Sequence, residues 1–380
     1  MGCNVAPSHA VVALYGFRLC GEARMSRAVD QELDRLFAEA ERSKTCLAAP
    51  SERTARLLNQ RARAGHVVRP RRSLFARTAY WNALRPDEQA LHIVRGLQKL
   101  HPSWTFCHES AALVWGLPLT YRRMDAVHVA NMRAMRRSGG NVIWHVIEGD
   151  SETVVEGVRV TSLERTLFDC LRSSTFAEGL PLADRGLALL NSGPQRLQDA
   201  FARFGKGCAN ISRAIGTLSY ANARSESWAE SVARALMITQ GFALPDLQVE
   251  LPCPLESDRS YRVDFFWQHA GGRSVIGEVD GMIKYTRDAA RRGQTAIRAL
   301  ADEQHREAQL TMYRMPILRL SYQDLINTKR FVEKLTAYGI PRDPHVADAI
   351  KRLGAKSPRT ALLYQEMRIP KEIIEQFIAS

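Results

Sequence analysis

From Ser26 the apolar positions Val29, Leu33, Leu36 and Phe37 recur at spacings of three and four with one adjacent pair. That stripe predicts an amphipathic helix with one buried face. A break at Ser43 and Lys44 follows, and Ser51-Glu52-Arg53-Thr54 opens a second helix through Leu57, Leu58 and Ala62. Gly65 stands where a C-cap is expected, because a left-handed residue is tolerated there by glycine. The run from His66 to Ala76 reads as two short strands around a basic turn. Helix, turn, helix and β-wing is the element order of a winged helix-turn-helix, predicted over 26–80. Residues 1–25 read as a poorly ordered tail, with Met1 and Met25 both open as the start.

A second unit is predicted over 81–204, with an α+β pattern. It has a helix from Pro86 to Leu100, then one from Phe106 through Cys107-His108-Glu109-Ser110-Ala111-Ala112-Leu113 that closes at Gly116 and Pro118. Strand-like runs follow at 126–129, 142–146 and 158–160. Thr161-Ser162-Leu163-Glu164-Arg165 reads as a capped helix start, and Arg165 stands one turn from Asp169 as an ion-pair partner. Between 205 and 225 the composition turns to Gly, Ser and Asn, as in a linker. A third unit, 226–340, reads as helix, three strands, long helix, strand and helix, an αβββαβ order with a mixed sheet between helices. The prolines of 341–380 suggest a C-terminal helical extension. The fold class is therefore α+β multidomain.

Charge sharpens this picture. The net charge is +13, which favours a polyanionic partner. Between Ser51 and Arg77 eight arginines face one glutamate. Arg53, Arg56 and Arg61 on the second helix and Arg69, Arg71 and Arg72 in the wing are the candidate DNA contacts, since guanidinium groups suit phosphate and a helix suits the major groove. A solvated arginine-rich surface is the competing explanation. The seven cysteines are widely spaced without a C-x-x-C pair, so thiols in a reducing cytoplasm are expected rather than disulfides. No run approaches the 18 apolar residues of a membrane span. His128 and His145 read as structural, because no Cys or Asp stands at ligand spacing beside them.

The carboxylates of the third unit carry the candidate chemistry. Asp264 lies on one predicted strand, and Glu278 and Asp280 lie on the next, two apart and so on one face. Glu226 and Glu230 precede them on a helix. Clustered carboxylates repel unless a cation or proton intervenes. Simpler explanations are an Asp264 paired with Arg259 or Arg262, a turn at Asp280-Gly281 and an exposed acidic helix face.

The ordered set Glu230-Ser231, Val263-Asp264-Phe265, Gly277-Glu278-Val279-Asp280-Gly281, Lys284-Tyr285, Arg306-Glu307 and Pro316-Ile317-Leu318-Arg319-Leu320 resembles the PD-(D/E)XK restriction-endonuclease-like fold. Within it, the branch related to very-short-patch repair endonucleases is the nearer likeness. The N-terminal part resembles AbiEi-type antitoxin regulators. It does so through Ser73-Leu74-Phe75-Ala76, His108-Glu109-Ser110-Ala111-Ala112, Gly116-Leu117-Pro118 and Thr161 to Asp169. These likenesses imply DNA as a partner, a cognate toxin as a second one, and a Mg²⁺-dependent endonuclease, with Mn²⁺ as an alternative ion.

The implied metal ligands are Asp264, Glu278 and Asp280, with Glu230 and Lys284 completing the catalytic set. One departure stands out. The pattern places lysine two residues after Glu278, where this chain has Asp280. Lys284 supplies the cation from beyond the strand, or Asp280 serves as a third oxygen ligand, or the site is inactive. In the last case the chain is a non-catalytic regulator of antitoxin type. Oligomeric state is not legible in the sequence.

Overall fold

The N-terminal stripe forms helix α1 over 29–42, and it buries Leu33, Phe37 and Ala40. The computed structural model describes residues 29–131, 141–191, 193–206, 208–255, 259–268, 274–280 and 296–353. The expected N-terminal tail, Gly281, Lys284 and Tyr285 lie outside the described residues. The protein is α+β with three separate sheets.

After α1 come β1 (Leu47–Ala48), α2 (Glu52–Arg63), β2 (Val67–Arg71) and β3 (Leu74–Arg77), and the strands pair in the order β1-β3-β2. Ser51 starts α2 by accepting the Thr54 N–H at 3.1 Å. Gly65 follows the helix with φ +81°, a conformation that any Cβ disfavours. Leu47, Leu58, Val67 and Phe75 close a small core with α1.

The middle part carries α3 (Thr78–Ala83), α4 (Pro86–Leu100), β4 (Thr105–Phe106), α5 (His108–Val114), β5 (Val127–Asn131), β6 (Val142–Val146), β7 (Glu152–Val155) and β8 (Val158–Thr161). Its sheet is mixed, in the order β6-β5-β4-β8-β7, with β6 at one edge. Helices α6 (Leu163–Ser173), α7 (Phe176–Leu190), α8 (Pro194–Phe204) and α9 (Ile211–Leu218) follow. Ser162 caps α6 by accepting the Arg165 N–H, and Arg165 pairs with Asp169 at 2.8 Å, as the spacing predicts. The stretch read as a linker contains α9, whose Ala214 and Leu218 are buried with Phe168 and Phe201. Composition misses it because its Gly, Ser and Asn neighbours mask the apolar stripe of Ile211, Ala214, Ile215 and Leu218 that packs on this core.

The last sheet has the order β12-β11-β10-β9. Its strands are β9 (Asp246–Pro252), β10 (Ser260–Trp267), β11 (Val275–Val279) and β12 (Ile317–Leu320), and β11 and β12 run parallel. Helix α10 (Trp228–Gln240) precedes it, and α11 (Ala296–Thr311) lies between β11 and β12 in sequence. One face packs Phe265, Trp267, Val279, Leu318 and Leu320 against α10 and Phe331. The other packs Val263, Ile276 and Leu251 against Leu310 of α11. The single predicted helix after β12 is two, α12 (Tyr322–Ile326) and α13 (Thr328–Ala337). They divide at Asn327, whose side chain caps the second by accepting the Arg330 N–H. Helix α14 (Pro344–Leu353) ends the described chain. Gly277 permits the tight fit of β11 on β10, since a Cβ there would lie 2.8 Å from Phe265 Cβ and 2.7 Å from the Trp267 ring.

Candidate functional site

The acids of the last unit meet where the β9–β10 ladder is interrupted. Pairing runs from Tyr261↔Leu251 through Val263↔Val249, skips one position and resumes at Phe265↔Leu247. The skipped pair is Gln248 and Asp264. Gln248 has φ +53°, a left-handed conformation that costs a non-glycine residue about 1–3 kcal/mol and persists only where its surroundings impose it. The interruption also switches faces: Val249 and Val263 pack toward Leu310, whereas Leu247 and Phe265 pack toward α10. Residues two apart on an even strand would share a face, so Asp264 stands at the crossover.

Three contacts define this crossover. Asp264 Oδ2 accepts the Val279 N–H at 2.9 Å. Gln248 Nε2 donates to Glu230 Oε2 at 3.0 Å and to Asp264 Oδ1 at 3.4 Å. Glu230 sits in the first turn of α10, where Ser227 caps the helix by accepting its N–H at 3.1 Å. Burial pushes the Glu230 carboxyl up, and the Asp264 charge adds to this against the hydrogen bonding of Ser227, Glu226 and Gln248. Two carboxylates therefore share one amide donor, an arrangement that favours a cation.

Continuing the register past Phe265↔Gly277 brings Glu278 opposite Asp264. Glu278 itself is buried on the α11 face, where Arg306 Nη2 donates to its Oε1 at 2.6 Å and to the Arg262 carbonyl at 2.9 Å. Asp280 accepts from Arg319 Nη1 at 3.0 Å, and Arg319 also reaches Glu307 at 3.5 Å. The expected set thus divides. Glu230 and Asp264 are joined through Gln248, Glu278 lies next to Asp264 in register but is held by an arginine, and Asp280 belongs to the Arg319 pair. Glu226 pairs with Arg262 at 2.7 Å, so neither that acid nor that arginine occupies Asp264. Gln248 left no signal in the sequence, because its role comes from an irregular backbone. Arg306 and Arg319 were visible only as residues of the wider pattern.

The candidate DNA face also divides. Arg53, Arg56, Arg69 and Arg72 are exposed, and Arg69 Nη1 donates to Asn59 of α2 at 2.9 Å, which joins wing and helix. Arg61 instead pairs with Asp30 of α1. Arg71 donates to the Asp125 carbonyl at 2.6 Å, anchoring the wing to the middle part. Arg56 makes a fully solvated pair with Glu52 at 3.5 Å.

The His128 and His145 pair, read from sequence as structural for want of a nearby cysteine, belongs to a second polar cluster with Cys107 and His108. His128 Nδ1 and His145 Nε2 are 2.9 Å apart, and His108 stacks on His145 with ring centroids 3.7 Å apart. The thiol of Cys107 belongs to the same group. The adjacent Cys107-His108 pair was the available signal.

An α+β protein with an acidic crossover in one sheet is the class these features define. The chain is similar to two uncharacterized proteins of Mycobacterium tuberculosis, Rv2248 of strain H37Rv and MT2308 of strain CDC 1551, each 27% identical over 161 residues. The similar stretch covers 42% of this chain and 58% of each relative. No family model matches the chain, and no solved structure matches it. No helix among the described residues is long and apolar enough to cross a membrane, and Cys46, Cys107, Cys170, Cys208 and Cys253 are free thiols.

Proposed function

We propose that the protein binds DNA and hydrolyses its phosphodiester bonds with a divalent cation, Mg²⁺ or Mn²⁺. The observation that carries this reading is the strained crossover at Gln248, which turns Asp264 toward Glu230 and beside Glu278. In this reading α1, α2 and the β2–β3 wing act as a winged helix-turn-helix, and the αβββαβ unit is restriction-endonuclease-like. The donor set is all oxygen, as Mg²⁺ requires, and the raised Glu230 carboxyl fits a place built for added positive charge. Asp264 and Glu278 would hold the ion, which supplies Lewis acidity toward the phosphate and activates water.

The chain's own groups do the rest. Glu230 and Gln248 orient Asp264, whose second oxygen is fixed by the Val279 N–H. Arg306, already on Glu278, would offset phosphate charge. Asp280 is assigned to orienting Arg319 rather than to the metal.

The test is cleavage of supercoiled, linear and single-stranded DNA with Mg²⁺ or Mn²⁺, run beside Asp264→Ala. Activity of the variant is expected to fall by more than the roughly 10–100-fold that removal of an outer-sphere partner costs, with DNA affinity unchanged in a gel shift. A wild-type protein that cuts none of these substrates removes hydrolysis from the proposal.

One observation favours a second reading. Arg306 and Arg319 already neutralise Glu278 and Asp280, as in a nuclease-like unit retained for binding alone. The protein would then be a transcriptional regulator of antitoxin type, with a cognate toxin as its protein partner. Specific DNA binding without cleavage, together with co-purification of a co-expressed neighbouring toxin, is the outcome that reading requires.

A further inference from the structure

The histidine cluster of the middle part is separate from the carboxylate site and has no role in the reading above. Cys107, the residue before α5, and His108, the first residue of that helix, stand beside β5, and His145 comes from the edge strand β6. One ligand atom from each of the three lies within 4.8 Å of the others. We propose that Cys107, His108 and His145 form a binding site for a borderline-soft divalent cation of the Zn²⁺ class, oriented by His128, Glu109 and Asp169.

Four observations support it. The donors are one sulfur and two imidazoles, the set that selects zinc-like ions over Mg²⁺ or Ca²⁺. Three buried polar atoms without hydrogen-bond partners gather here, His108 Nδ1, Glu109 Oε2 and Asp169 Oδ1, whereas those at Arg71, Asp87, Thr217 and Arg319 stand in other parts of the chain. Each such atom ordinarily costs about 1–3 kcal/mol, so their coincidence points to a missing charge rather than to a packing fault. His108 also holds φ +48°, an unfavourable conformation for a residue with a Cβ.

The fourth observation is the arrangement around the ligands. A metal-bound histidine normally gives its second ring nitrogen to a carboxylate or another acceptor. His145 Nε2 already faces His128 Nδ1 at 2.9 Å, and His128 Nε2 stands 3.4 Å from Glu109 Oε2. Glu109 is held in turn by Arg123. His108 Nδ1 stands 3.9 Å from Asp169 Oδ2, and Arg165 fixes that carboxylate. This assigns His145 Nδ1, His108 Nε2 and Cys107 Sγ to the ion, with the carboxylates one step behind. Ligand atoms on a tetrahedral zinc lie about 3.3–3.6 Å apart given its bond lengths, so the three groups must close inward, and the His108 and His145 rings, stacked with 21° between their planes, must turn until their in-plane lone pairs meet at the ion.

Burial pushes the His145 imidazole down to about 4 and holds His108 well below its usual value. Burial and the Asp169 and Glu109 charges push the Cys107 thiol up. A divalent cation reverses that direction because it becomes the largest local charge. The ion would clip β6, whose Val146 is 47% exposed at the sheet edge, to the start of α5.

The experiment uses the tag-free full chain, stripped with chelator and titrated with Co²⁺ and then Zn²⁺. The expected result is one equivalent of Co²⁺ with thiolate-to-cobalt charge-transfer absorption, displaced by Zn²⁺. Cys107→Ser should abolish that absorption, and Glu109→Gln should weaken binding about 10–100-fold. Cys208→Ser and Asp264→Ala should keep it, which separates this site from the carboxylate site. Hydrogen exchange of the wild-type chain should slow at α5 and β6 when Zn²⁺ is added. Absence of the thiolate band, equal binding by Cys107→Ser, or exchange at α5 and β6 indifferent to Zn²⁺ each overturns the proposal. The last measurement applies even if a variant fails to fold.

Discussion

Asp324 shows how far a single residue's role can be read from sequence. The Ser321-x-x-Asp324 spacing announces a capping box, and both halves form: Ser321 accepts the Asp324 N–H, and Asp324 Oδ2 accepts from Ser321 N–H and Oγ–H, each at 2.8 Å. The fully buried carboxylate also takes Lys334 Nζ at 2.9 Å and Arg330 Nε, partners that no local pattern reveals. Burial pushes this carboxyl up, but Lys334, Ser321 and Arg330 outweigh it and hold the group well below the usual carboxylate range. A carboxyl depressed in the folded state stabilises above its unfolded value, and the contribution is lost as pH falls from there toward the folded value. The stability advantage of wild type over Asp324→Asn in urea melts should therefore be constant at neutral pH and shrink as pH drops below about 3.9. An advantage indifferent to acid down to pH values of about 3 would contradict this. Asp264 and Glu230 were legible as residues in the same sense, whereas Gln248 was not, because its left-handed φ is imposed by neighbouring strands.

At the scale of elements, periodicity located α1, α2, α4, α10 and the central strands but passed over α7 and α8, and it missed the two-residue β1 and four-residue β7, which are too short to show alternation. The basic helix and wing were legible as elements, but their contact with each other was not. Arg69 reaching Asn59 makes α2 and the wing one surface, while Arg61 and Arg71 are committed to Asp30 and to the Asp125 carbonyl. The candidate phosphate-binding set is thereby reduced to the exposed Arg53, Arg56, Arg69 and Arg72. Replacing Arg53, Arg69 and Arg72 by Gln should weaken DNA binding and reduce the slope of log K against log salt by up to about 3, at roughly 0.9 per lost phosphate contact on duplex DNA. Fluorescence anisotropy across a salt series reads this directly, and a slope equal to wild type would remove the wing and α2 from the DNA interface.

At the scale of the whole molecule, the middle and C-terminal parts are joined through α7 and α10. Asp184 of α7 accepts from Arg234 Nη1 at 2.6 Å and from Ser231 Oγ at 2.7 Å of α10, and from the Asn222 N–H at 2.7 Å. Phe176, Leu180, Ala235, Ile238, Val346 and Ile350 pack around that junction. Asp184→Ala leaves Arg234 buried without its counter-charge and should cost about 3–5 kcal/mol, read as a lowered urea midpoint for both parts together. Two separate transitions with only one shifted would show that the junction does not couple them. The sequence by itself determined the α+β class, the order of most elements, the basic N-terminal surface and the identity of the acids, since each follows from local periodicity, capping or composition. Tertiary structure decided which acids meet, which arginines remain available, that the Gly- and Ser-rich stretch is a packed helix, and that Cys107 and three histidines lie in one cluster. Those outcomes depend on strand register and on contacts between residues far apart in the chain, and no local pattern encodes either.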